Sequence, residues 1–203
     1  MRRPQAAALL FLLTLTASVH AENKPARGSW RRLAVRREVL APDARLADLD
    51  RRTLELLRAF QPSGAKVESL SVLPPEGEQP LRLSFRATTR VNVDVGPIPV
   101  SSERTVTVRA RVTSARAACG PDPAIPGFRY MLDLRESDEP LAANADALVV
   151  AVCATAEPNV YEVATYMQVG PDYGTRVAGR VATDLLTRQT DGFVHALHAV
   201  VDP

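Results

Sequence analysis

From Leu81 to Val95 the chain alternates without interruption. Leu81, Leu83, Phe85, Ala87, Thr89, Val91, Val93 and Val95 occupy one face, and Arg82, Ser84, Arg86, Thr88, Arg90, Asn92 and Asp94 the other. A period of two over this length predicts a long strand with one buried side. Gly96-Pro97-Ile98-Pro99 predicts a turn, after which Val106, Val108, Ala110 and Val112 alternate with Thr105, Thr107, Arg109 and Arg111, completing a long hairpin. Lys66 to Leu73 forms a shorter strand ahead of it.

The same pattern marks the other strands. Between Trp30 and Leu40, Leu33, Val35 and Val39 are expected on one face and Arg32, Arg36 and Glu38 on the other. Phe128, Tyr130, Leu132 and Leu134 alternate with polar residues, as do Tyr161, Val163, Thr165, Met167 and Val169. Ala147 to Thr155 is apolar on both sides, as a central strand would be. Cys119 to Gly127, with three prolines and two glycines, reads as a loop, and Glu136 to Asn144 as a polar connection.

Two segments carry the helical period instead. Pro42 and Asp43 open a run in which Leu46, Leu49, Thr53, Leu56 and Phe60 recur at helical spacing until Pro62-Ser63-Gly64 stops it. After Gly170-Pro171-Asp172, Val177, Val181, Leu185, Phe193, Ala196, Leu197 and Val200 define one broad apolar face, with Arg180, Asp184, Asp191 and His198 opposite. This predicts a long C-terminal helix, with Gly192 as a point of weakness.

The N-terminus has a different character. Arg2 and Arg3 precede the apolar run Ala6 to Ala17, and Ser18-Val19-His20-Ala21 supplies small residues at the cleavage positions, so Met1 to Ala21 reads as a secretory signal peptide cut after Ala21. The apolar run is too short to span a bilayer core of roughly 30 Å. Residues 22–29 are polar and read as a flexible leader, and residues 30–203 as one domain. The protein is expected to be exported, secreted or periplasmic. In an oxidising compartment the two cysteines, Cys119 and Cys153, are expected to form one structural disulfide, which the chain-entropy account values at about 3–4 kcal/mol.

Composition narrows the function. Removal of the signal peptide leaves 23 basic against 23 acidic residues, a balance that argues against nucleic acid as a partner. No phosphate-binding loop, serine nucleophile elbow or paired zinc motif is present, so neither a cofactor nor a metal is implied. Arginine outnumbers lysine 23 to 2, and Arg82, Arg86, Arg90, Arg109 and Arg111 line the polar face of the hairpin. They form a candidate patch for anionic membrane surfaces, or a solvated outer face. Asp184, Arg188, Asp191 and His195 form a charge stripe on the last helix, read as intrahelical ion pairs.

Strand, helix, six strands and a long helix describe an α+β fold: a curved antiparallel sheet of about seven strands with one early helix and a long C-terminal helix. This order, with Gly170-Pro171-Asp172 leading into the last helix, resembles the helix-grip fold of the START-like and polyketide-cyclase-like (SRPBCC) superfamily, over Trp30 to Val200. The resemblance is of topology and departs in showing one early helix where that fold often has two. It implies a cavity between sheet and C-terminal helix that binds an apolar small molecule or lipid. Candidate cavity residues are Phe85, Thr89, Tyr130, Tyr161, Val163, Thr165, Leu185, Phe193 and His195. The hydroxyls among them would orient a ligand, or in a filled core would find backbone partners. His195, at the edge of the apolar face, would be the general acid or base of a weaker, enzymatic reading. The alternative is a non-enzymatic cell-envelope interaction module that works through the arginine-rich sheet face.

Overall fold

The computed structural model describes residues 28–41, 49, 51–60, 65–95, 98–116, 127–173 and 176–201. Along the chain run β1 (Trp30–Val39), α1 (Thr53–Ala59), β2 (Lys66–Leu73), β3 (Leu81–Val95), β4 (Ile98–Arg116), β5 (Gly127–Asp133), α2 (Glu139–Ala142), β6 (Ala145–Ala154), β7 (Val160–Val169) and α3 (Arg176–Val201). The seven strands make one antiparallel sheet in the order β1-β7-β6-β5-β4-β3-β2. From β2 to β7 each strand lies beside its predecessor, and β1 joins the far edge against β7. This is the expected α+β helix-grip arrangement. The signal peptide, the leader to residue 27, the Cys119 loop and residues 42–48 of the expected early helix lie outside the described residues. No helix among the described residues is long and apolar enough to cross a membrane.

The alternation in β3 becomes packing. Leu83, Phe85, Ala87 and Thr89 are buried while Arg82, Arg86 and Arg90 are exposed. The same core takes Val106, Val108, Ala110 and Val112 of β4, Phe128, Tyr130 and Leu132 of β5, and Leu148, Val150 and Val152 of β6. Helix α3 closes this face with Leu185, Leu186, Phe193, Ala196, Leu197 and Val200. Burying a large apolar side chain stabilises by about 1.5–3 kcal/mol, so this one stripe outweighs the helix's own propensity. Behind the sheet a smaller cluster, Val149, Ala151 and Cys153 with Trp30 and Tyr166, explains why β6 is apolar on both faces.

Strand β1 departs from its sequence pattern. A bulge between Arg32 and Ala34 inserts one residue against β7 and reverses the alternation beyond it. Arg36 and Glu38, expected on the solvent face, therefore reach α3. Arg36 Nε donates to Asp191 Oδ1 at 2.8 Å, and His198 Nε2 lies 3.0 Å from Glu38 Oε2. Val39, expected to be buried, is 68% exposed. Asp191 thus reaches across to β1, where the sequence pattern placed it in an intrahelical stripe. Pairing also begins earlier than the leader's polar composition suggests: Gly28 N donates to the Val169 carbonyl at 3.0 Å, and Val169 N to the Ser29 carbonyl at 2.9 Å.

Two local devices set the position of α3. In the connection before β6, read from sequence as polar and irregular, residues 139–142 form the short helix α2. Ahead of it, the Ser137 hydroxyl accepts from Arg109 N and donates to the Arg109 carbonyl, while Asp138 accepts from Thr107 N, so this connection continues the ladder of β4 beyond the end of β5. Gly170 then passes against the α2–β6 link: its N donates to the Asn144 carbonyl at 3.0 Å, and an added Cβ would stand 2.8 Å from the Ala143 oxygen. Only glycine fits that approach without displacement of backbone.

Candidate ligand-binding site

Between the sheet and the two helices α1 and α3 lies a cavity of about 30 Å³. Its wall takes Leu57 of α1 and the following Phe60; Leu83, Phe85 and Val108 of the hairpin; Leu132, Leu148 and Val150 of the central strands, with Leu134; and Leu186, Gln189 and Phe193 of α3. Phe60 and Phe85 meet with ring centroids 5.9 Å apart, and Phe193 meets Tyr130 at 5.2 Å. A single water molecule needs about 10–15 Å³ of such space, so among the described residues the cavity holds two or three waters' worth of volume.

Of the residues read as cavity candidates, Phe85 and Phe193 line the space. Leu185, Val163 and Tyr130 are buried in the surrounding core, and the Tyr130 hydroxyl donates to the Leu49 carbonyl at 3.1 Å. The Thr165 and Thr190 hydroxyls pair with each other at 2.6 Å, fully buried. Tyr161 is half-buried against the core. Thr89 is buried, and its Oγ1 has no hydrogen-bond partner among the described residues. His195 is exposed, which withdraws the support for an enzymatic role inside the cavity. Its helical position, two residues after Phe193, carries it away from the buried face. Among the described residues no group of three or more His, Cys, Asp or Glu side chains is placed to hold a metal.

The polar lining residue missed by the sequence reading is Gln189. It lies four residues after Leu185 and four before Phe193, so helical spacing alone places it on the apolar face. Gln189 is 4% exposed, its Nε2 donates to the Leu185 carbonyl at 2.7 Å, and its Oε1 is buried with no hydrogen-bond partner among the described residues.

No family model matches the chain, and no curated protein does. Solved structures do resemble it. Ara h 8.0201 is 12% identical with a TM-score of 0.44, over 86% of this chain and 100% of its own. TTHA0849 from Thermus thermophilus is 18% identical with a TM-score of 0.43, over 85% of this chain and 97% of its own. Ginseng major latex-like protein 151 from Panax ginseng is 9% identical with a TM-score of 0.38, over 83% of this chain and 99% of its own.

The arginine patch is exposed as expected, but it is not a bare cationic surface. Arg86 lies 3.4 Å from Glu68, Arg109 lies 3.7 Å from Asp138, and Arg111 pairs with Glu136. The last two carboxylates come from the connection after β5 and are brought in by the fold. Exposed pairs of this kind contribute little to stability, yet they offset the charge that an anionic surface would meet. Arg135 binds Asp133 through its side chain and holds that carboxyl below the usual carboxylate range. Burial, with Glu162 adding to it, raises the Tyr166 phenol above its ordinary value.

Proposed function

We propose that the mature domain is an exported carrier that binds an apolar small molecule or lipid in the space between the sheet and α3. The observation that supports this reading is the composition of the cavity wall, in which, among the described residues, eleven of twelve lining side chains are hydrocarbon and three of those are phenylalanine. Such a wall recognises a ligand by removing its apolar surface from water, at about 25 cal/mol per Å². With about 30 Å³ of resting space, uptake of a ligand of lipid size requires the wall to move, and α1, at seven residues, is the shorter of the two helices in it. Binding is then coupled to an opening of the core. The test is organic extraction of the purified protein followed by mass spectrometry, together with uptake of a neutral fluorescent probe. Stoichiometric recovery of an apolar compound, or saturable uptake, is expected; absence of both refutes the carrier.

Export carries a second expectation. Cys153 is 6% exposed in the outer cluster, and no free cysteine is found among the described residues. Cys119 lies outside them. A structural Cys119–Cys153 bridge is proposed, and thiol titration of unfolded, unreduced protein should find no free thiol.

A further inference from the structure

Among the described residues that line the cavity Gln189 is the one with a polar side chain, and the chemistry around it is incomplete. The Leu185 carbonyl can only accept, so the nitrogen of the Gln189 amide must face it, and the 2.7 Å hydrogen bond fixes which way the amide is turned. The oxygen is thereby left as a buried acceptor without a partner among the described residues. Such a group is destabilising, because it gives up its bonds to water and receives none in return. An apolar residue would have continued the stripe formed by Leu185 and Phe193 and avoided the penalty. A trapped water is a poor remedy, since water in a protein interior needs two to four polar partners and this wall presents a single polar side chain.

We infer that the ligand is an apolar molecule bearing one hydrogen-bond donor, a hydroxyl or N–H, which the Gln189 Oε1 accepts when the cavity opens. This rests on the carrier reading and adds the class of ligand to it. An ionised head group is excluded by the same wall, which offers no charge to offset desolvation. A head group that only accepts, such as an ether or an ester, would face the amide oxygen lone pair to lone pair.

The experiment compares decanol with its isomer methyl nonyl ether, and with decanoate, as competitors of the neutral probe diphenylhexatriene on the full mature protein. Isomers share their atoms, and the ratio of their affinities in wild type relative to Gln189→Met cancels the difference in their hydration. The substitution is expected to lower the preference for the alcohol about tenfold. Decanoate is expected to compete poorly with both proteins. If Gln189→Met does not fold, Gln189→Leu replaces it. Wild type alone supplies an independent reading: the side-chain carbonyl resonance of Gln189 should shift on addition of decanol and not of the ether. If both isomers bind and neither the ratio nor the resonance changes, the assignment of Gln189 fails while the carrier stands. If neither isomer nor the probe binds, both fail.

Discussion

Phe193→Ala probes the interior most directly. The ring is 3% exposed, packs on Tyr130 with centroids 5.2 Å apart at an interplanar angle of 57°, and forms part of the cavity wall. Because the existing space is only about 30 Å³, nearly all of the ring's atoms are in contact and their removal leaves a new void beside the old one. Phenylalanine-to-alanine changes in packed cores cost about 3–5 kcal/mol, of which the tilted aromatic pair supplies about 0.5–1.5 kcal/mol. A loss near 4 kcal/mol, at a urea slope of about 2 kcal/mol per molar, moves the unfolding midpoint down by about 2 M. Urea denaturation followed by circular dichroism measures it. Phe193→Leu, which keeps more of the packed atoms, should lose less than half as much and remains measurable if the alanine variant does not fold. The enlarged void should also admit benzene, which engineered cavities of about 150 Å³ bind. Benzene should therefore raise the melting temperature of Phe193→Ala more than that of wild type. A loss below about 1 kcal/mol, or an equal benzene effect on both proteins, would show that the space is open rather than packed.

Three further outcomes follow from local geometry. Gly170→Ala forces a Cβ against the backbone of residues 143–145 and should lower stability by about 1–3 kcal/mol in thermal unfolding; an unchanged melting temperature would contradict the close approach. Thr165→Val and Thr190→Val should each cost about 1–3 kcal/mol by stranding the other hydroxyl, whereas the double variant should recover most of that loss, and additive losses would show that the two do not depend on each other. The Asp133 carboxyl is held below its ordinary value by Arg135, so its contribution is present above about pH 4 and fades as pH falls through the lowered folded-state value. Asp133→Asn should accordingly flatten the acid limb of the stability curve, and an identical acid limb would remove the pair from the account.

The elements were legible where one face of an element meets one environment. β3 runs from Leu81 to Val95, the limits that its alternation predicts, and α3 ends at Val201 with Leu185, Phe193 and Leu197 buried as their spacing requires. Period and turn chemistry are local properties, and they survive because a strand or helix turns the same side chains inward whatever it packs against. The bulge in β1 was not legible. It depends on how Arg32 to Ala34 register against Tyr166 and Thr165, residues more than a hundred positions away, and one inserted residue exchanged the solvent and core faces beyond it.

The candidate site divides along the same line. The sequence by itself determined the two walls, an apolar sheet face and an apolar helix stripe. Only the tertiary structure decided how far apart the walls stand, that the hydroxyls of Tyr130 and Thr165 are consumed by Leu49 and Thr190, and that the Gln189 oxygen alone in the cavity wall is left without a partner among the described residues. It also decided that Glu136 and Asp138 fold back over Arg111 and Arg109, which tempers a surface that looks purely cationic along the hairpin. The physical reason is that periodicity states which residues turn inward, whereas cavity volume, hydrogen-bond satisfaction and charge pairing depend on which atoms from distant elements meet there, and no local pattern encodes that meeting.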